Sequence, residues 1–169
     1  MNKQQLNRVI DKARYLCKRS GTRLTEKRRG VLEALLVSKI PLSAYEITDV
    51  INQADNKSIL AMSVYRILEF LKSENLVHKL SSTNKYVACS HITCGHNHEI
   101  PQFLICGKCQ ATKEIACGGC EDEQEISISK SVIDELSKLV SKAGYTLTNS
   151  QLELRVLCNN CSTSTAELF

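Results

Sequence analysis

The sequence predicts an α+β fold in two parts: an N-terminal winged helix-turn-helix and a small C-terminal α/β domain built around metal ligands. Three observations predict it. Four apolar runs at helical spacing are followed by two short strand-like runs, all before residue 90. Later strand-like runs alternate with one helical run and end in Cys-x-x-Cys pairs. The formal charge of +4 is also divided, since residues 1–88 carry 16 Lys and Arg against 8 Asp and Glu, and residues 89–169 carry 6 against 10. A basic half beside an acidic half suggests that one half meets a polyanion, the alternative being a solvated basic surface.

Leu6, Val9, Ile10, Ala13, Leu16 and Cys17 recur at helical spacing and predict a first helix from about Lys3 to Lys18, stopped by Ser20-Gly21. Cys17 is expected in the core. Thr25 fits an N-cap, and Val31, Leu32, Leu35 and Leu36 give the second helix its buried face. Lys27, Arg28 and Arg29 fall in its first turn, the wrong sign for a helix N-terminus. A bound phosphate would compensate for that placement; exposed charge tolerated at low cost is the alternative. Pro41 breaks the chain before Ser43-Ala-Tyr-Glu46, a capping box. Ile47, Val50, Ile51 and Ala54 then predict a short third helix.

After the polar turn 55–58, a fourth helix buries Val64, Ile67, Leu68 and Leu71 and leaves Tyr65, Arg66, Glu69 and Lys72 outside, with Asn75 placed to end it. Leu76–Leu80 and Lys85–Cys89 are strand-like, joined by Ser81-Ser-Thr-Asn84. Helices followed by a hairpin describe a winged helix-turn-helix. Its fourth helix would enter a major groove, with Arg66 reaching base edges or phosphates. Aromatic residues make up only 5%, which disfavours single-strand stacking platforms and points to duplex DNA.

In the C-terminal half, Phe103–Cys106 and Ala111–Ile115 read as strands joined at the Cys106-Gly-Lys-Cys109 knuckle. An acidic loop covers 121–125. Ser131–Ala143 is helical, with Val132, Ile133, Leu136 and Val140 on one face and Gly144 just past the end. Gln151–Leu157 alternates as a strand with one wet face and closes on Cys158-Asn-Asn-Cys161. Three strands and one helix are too thin to bury a core alone, so pairing with a second copy is expected.

At 169 residues the chain has room for two small domains, and no apolar run approaches a membrane span of about 20 residues. The stretch MNKQQLNRV lacks the apolar segment of a secretory signal, so a cytoplasmic location is expected. In a reducing compartment nine cysteines argue for metal over disulfides. Six of them, with three of the four histidines, lie between Cys89 and Cys120. Cys106, Cys109, Cys158 and Cys161 form two Cys-x-x-Cys pairs, as in a closed tetrahedral zinc site that contributes directly to folding. A second, mixed group comprises His78, Cys89, His96, His98 and Glu114.

LVHKLSSTNKYVAC, SVYRILEFL, RLTEKRRGVLEAL, the SAYEI capping segment, FLICGKCQATKE and the terminal CNNC resemble the ferric uptake regulator family, and within it the zinc uptake regulators. The resemblance covers nearly the whole chain. It implies a dimeric, zinc-sensing transcriptional repressor of zinc uptake genes, with zinc as corepressor and a C-terminal dimerisation domain. Two zinc sites per monomer are implied. The structural ligands fall on Cys106, Cys109, Cys158 and Cys161, and the regulatory ligands on His78, Cys89, His98 and Glu114, with His96 the alternative to His98. The DNA-contacting tyrosine and arginine fall on Tyr45 and Arg66; Lys27, Arg28 and Tyr65 join them as candidate DNA contacts. The implied division is 1–88 for the winged helix, 89–102 for a hinge carrying ligands and 103–169 for dimerisation. Cys94 and the Cys117-Gly-Gly-Cys120 pair lie outside the shared pattern, and the pair could be a third zinc site, a redox couple or a loop with two thiols.

Enzymatic readings fare poorly. The zinc deaminase pattern, H-x-E upstream of P-C-x-x-C, is absent, and so is H-E-x-x-H. A catalytic zinc needs an open position, whereas both groups here can be filled by protein ligands. The remaining alternatives are regulators of the same family that sense thiol oxidation, peroxide or iron.

Overall fold

A computed structural model of the chain describes residues 1–55, 58–93, 101–115, 130–146 and 151–163. Cys94, His96, His98, Cys117, Cys120 and the acidic loop 121–125 lie outside the described residues. The chain divides into two compact units, Met1–Gly95 and His96–Phe169.

The first unit holds α1 (Lys3–Arg19), α2 (Glu26–Val37), α3 (Ala44–Asp55), α4 (Ala61–Ser73), β1 (Val77–Leu80) and β2 (Lys85–Ala88). Local signals set the helix ends. Asn2 and Gln5 form a reciprocal capping box at α1, and the Thr25 side chain accepts from the Arg28 N–H at α2. At α3 the Ser43 N–H donates to Glu46 Oε2 at 2.6 Å, and the Glu46 N–H to Ser43 Oγ at 3.3 Å. Asn75 ends α4 at a φ of +55°. Its N–H bonds to Lys72 O, and the Leu76 N–H returns to Leu71 O, a Schellman closure. Gly21 closes α1 in the same way at φ +78°.

Ile10, Ala13 and Cys17 of α1, Val31, Leu32 and Leu35 of α2, Ile47 of α3 and Val64, Leu68 and Leu71 of α4 share one buried cluster. Each fully buried Leu contributes about 1.5–3 kcal/mol through removal from water. The expected α3 stripe holds only in part, because Ile47 is buried while Val50 and Ala54 are exposed. The helix is fastened instead by Asn52, whose side chain accepts from the Ile59 N–H at 2.8 Å and donates to Ile59 O at 3.3 Å, spanning the turn to α4. β1 and β2 pair antiparallel with His78 opposite Val87. Leu42 joins the hairpin as a third segment by bonding both ways with Tyr86, at 3.0 and 2.8 Å. Cys89 and Ile92, beyond the hairpin, are buried in the same cluster.

The second unit contains β3 (Gln102–Cys106), β4 (Thr112–Ile115), α5 (Lys130–Lys142), β5 (Leu152–Val156) and a short α6 (Asn159–Thr163). Its sheet has the order β4-β3-β5, with β3 antiparallel to β4 and parallel to β5. β4 already returns the chain to the end of the sheet where β3 and β5 begin, and α5 lies in the connection from β4 to β5, so a strand and a helix separate the two cysteine pairs in sequence. Gly144 ends α5 at φ +83°.

The predicted buried face of α5 is corrected. Of its four residues Ile133 is buried and Val140 half-buried, whereas Val132 and Leu136 are exposed; Leu139 is exposed as well. Nor is the apolar face of β5 sealed, with Leu154 38% exposed. One small sheet cannot cover both the helix stripe and its own edge strand. Among the described residues no helix is long and apolar enough to cross a membrane.

Candidate metal centre and nucleic-acid interface

Cys106 ends β3 opposite Val156 of β5, and Cys158 follows two residues later, so register alone carries both cysteine pairs to one end of the sheet. After Cys106 the chain turns tightly. Gln110, at φ +62°, donates its N–H to Cys106 O at 3.0 Å, and the Gly107 N–H donates to Val156 O at 2.9 Å. This turn presents Cys109. On the other strand Cys158 begins a helical turn in which the Cys161 N–H donates to Cys158 O at 2.9 Å.

The four sulfurs lie within 4.8 Å of one another, with Cys109 and Cys158 at 3.7 Å. Four sulfurs around a zinc ion at Zn–S distances of about 2.3 Å stand about 3.8 Å apart. The 3.7 Å separation is therefore that of two ligands, and far too long for an S–S bond. Backbone N–H groups of Cys109, Cys158 and Lys108 point at the Cys106 sulfur and hold its pKa down to about 6. The Cys158 N–H reaches it at 3.5 Å. Cys161 is pushed up to about 12 by its hydrogen bond with the Cys158 thiol and by burial. An all-sulfur set of four ligands at this spacing suits zinc.

His78 of β1 and Cys89, which follows β2, form a second donor pair, this one within the first unit. His78 faces Val87 across the hairpin, and the Cys89 N–H bonds to Leu76 O at 3.0 Å. Both therefore project from one face of the ladder, with ligand atoms within 4.8 Å of each other. Both side chains are buried. Glu114 belongs to the second unit, on β4 opposite Phe103.

In the winged helix, Arg66 is exposed on α4. Tyr45, 64% exposed at the start of α3, meets Tyr65 edge-on with ring centroids 6.1 Å apart and planes at 84°. Lys27 is exposed. Arg28 is engaged internally: its guanidinium lies 3.3 Å over the Phe70 ring, and Nη1 donates to Arg23 O at 2.6 Å. Arg29 is tied to Glu33 at 2.8 Å and lies 3.8 Å from Glu26. Of the three cations in that first turn, Lys27 is the one free of an intramolecular ion pair or ring contact among the described residues.

Sequence reasoning missed the clamp that sets the wing. Lys85, which opens β2, places Nζ 2.8 Å from Glu46 Oε1, so the α3 capping residue also holds the hairpin. That ammonium, with the Ser43 N–H, keeps the Glu46 carboxyl down to about 2. The S-x-x-E spacing announced the cap, but nothing local marks a partner 39 residues away.

The model of the Ferric uptake regulator family matches residues 19–155, most of the winged helix and of the sheet that follows it. The chain belongs to the ferric uptake regulator family. Among its relatives, the Zinc uptake regulation protein of Escherichia coli (strain K12) is 31% identical over 161 residues, covering 95% of this chain and 85% of that protein. The Ferric uptake regulation protein of Helicobacter pylori is 28% identical over 161 residues, covering 95% and 96%. A solved structure of a zinc uptake regulator complexed with zinc and DNA matches with a TM-score of 0.76 at 28% identity, covering 95% of this chain and 97% of that one. The expected α+β architecture is thus that of the ferric uptake regulator family. Its relatives include proteins named for zinc and for iron, so the choice of metal for this member turns on its donor atoms.

Proposed function

We propose that the chain is a zinc-sensing, DNA-binding transcriptional repressor of zinc uptake genes, with zinc as corepressor. The observation that carries this reading is the buried His78–Cys89 pair at the base of the hairpin. The Leu76 N–H joins that hairpin directly to the end of α4. A metal-responsive pair is thereby built into the DNA-binding unit itself. A thiolate beside an imidazole suits zinc better than iron(II), which favours harder ligands.

By the family resemblance the set is completed by Glu114 and by His98, or His96 in its place. On this reading Cys106, Cys109, Cys158 and Cys161 hold a second, structural zinc. Bound to the regulatory ligands, a zinc ion would join residues of the winged helix (1–88) and the hinge (89–102) to those of the dimerisation domain (103–169). Holding the ligands together favours the state in which two recognition helices match one duplex operator, so zinc acts by differential affinity for two states. The exposed Val132, Leu136 and Leu139 of α5, with the open face of β5, support a homodimer. The proposed protein is cytoplasmic and is not an enzyme.

The test is operator binding by the full-length protein, followed by fluorescence anisotropy across buffered free zinc, buffered iron(II) and added peroxide. Affinity that rises with zinc alone supports the reading. Affinity that follows iron(II) or oxidant overturns it in favour of the corresponding sensor.

A further inference from the structure

The outward face of α4 is not uniformly polar. Val64, Ile67, Leu68 and Leu71 turn inward, whereas Met62, Tyr65, Arg66 and Glu69 follow at i, i+3, i+4 and i+7 along the opposite side. Met62 lies one turn N-terminal to Arg66 on that side and is 66% exposed. Leu60, at the N-cap, is 69% exposed and makes no side-chain cap bond. Polar residues normally occupy that position because they bond to the first free N–H groups. Here two large apolar side chains stand there instead. A single exposed apolar residue needs no explanation. These two come within three residues, at the end of the helix that leads into a major groove in helix-turn-helix proteins. The exposed Tyr45 ring, resting edge-on against Tyr65, adds apolar surface beside the same helix.

The charge around this patch identifies its occupant. It shares a helix face with Arg66, in the half of the chain that carries 16 Lys and Arg against 8 Asp and Glu. An apolar protein surface would have to desolvate those cations, whereas a DNA duplex neutralises them. Within the major groove the thymine 5-methyl is the apolar group that distinguishes one base pair from another, and apolar side chains read it.

We propose that Leu60 and Met62 are specificity-determining residues that read thymine 5-methyl groups in the operator half-site, next to the base read by Arg66. This rests on the repressor reading above. It adds that methyl groups, as well as hydrogen-bonding edges, define the operator.

The probe is a duplex enriched from a random library by the zinc-loaded, full-length protein. Each thymine is then replaced in turn by uracil, which pairs identically but lacks the methyl. For the wild type, uracil at one or two positions per half-site weakens binding about fourfold each, the factor for one buried methyl-sized group. Met62→Ala and Leu60→Ala bind the thymine duplex more weakly and lose the uracil penalty at their own positions, while Met62→Leu keeps it. Both residues are exposed, so the variants retain the fold; circular dichroism checks this. A zinc-dependent duplex indifferent to uracil overturns this inference alone, as does a penalty that persists in both alanine variants; a surface used by a protein partner would give that result. A library yielding no zinc-dependent duplex sinks the repressor reading and this inference together.

Discussion

Replacing Glu46 by Gln isolates the electrostatic part of the clamp between α3 and the wing. The amide retains an oxygen for the Ser43 N–H, now 2.6 Å from Oε2, but loses the charge that faces Lys85 Nζ at 2.8 Å. The carboxyl falls from a reference of 4.5 to about 2. Taken at face value, that shift corresponds to about 3 kcal/mol, at about 1.4 kcal/mol per unit. Solvent screening reduces it strongly, because the Glu46 side chain is 43% exposed and that of Lys85 26%. The net effect is about 1 kcal/mol. A folded-state pKa below the unfolded value stabilises above about pH 4.5, and this contribution is lost as pH falls from there toward about 2. The assay is urea unfolding of the full chain followed by helical circular dichroism, for wild type, Glu46→Gln, Lys85→Met and the double variant, at pH 7 and again near pH 3.5. The two single changes should be non-additive by about 0.5–1 kcal/mol at pH 7 and less so in acid. Strict additivity at pH 7, or a coupling that grows on acidification, would refute the clamp.

Cys158→Ser should lower zinc content by about one ion per monomer and reduce the thermal midpoint by more than 10 °C, because a closed thiolate site couples metal to folding. Metal analysis with calorimetry checks it, and unchanged stability would show the cluster to be dispensable. Arg66→Ala should weaken binding to the selected duplex by about 1–3 kcal/mol and relax preference at one base position, leaving zinc content intact. Equal discrimination by the variant would remove α4 from the interface. Leu139→Glu, on the exposed stripe of α5, should shift sedimentation from dimer to monomer at micromolar concentration, and a stable dimer would place the interface elsewhere.

What was legible in the sequence was mostly local. Thr25, the Ser43–Glu46 box, Gly21, Asn75 and Gly144 each act within a few residues of themselves, and each ends or begins a helix as its chemistry predicts. The cysteine spacing was legible too, because thiols at strand ends have few other uses. Apolar periodicity was a weaker guide. It identifies the stripe on α5 but cannot say whether anything covers it, and in the single chain Val132, Leu136 and Leu139 stay exposed. Val50 misled in the same way. Pairings far apart in sequence left no local mark: Arg28 on Phe70, Lys85 on Glu46, and Leu42 completing the hairpin through Tyr86. The short α6 escaped because Asn-Asn-Cys-Ser-Thr has no helical pattern; the turn is set by N–H bonds back to Cys158 O.

The central claim is that the donors on the hairpin sense zinc while the four-cysteine cluster only builds the fold. It is tested most directly by counting zinc and measuring duplex affinity together in Cys89→Ser and His78→Ala, across buffered free zinc. The account predicts that both variants keep one tightly held zinc per monomer, the dimer and weak salt-sensitive binding to any duplex, but lose the zinc-dependent rise in affinity. Variants that still respond at the wild-type zinc level would contradict it and move the sensor away from His78 and Cys89.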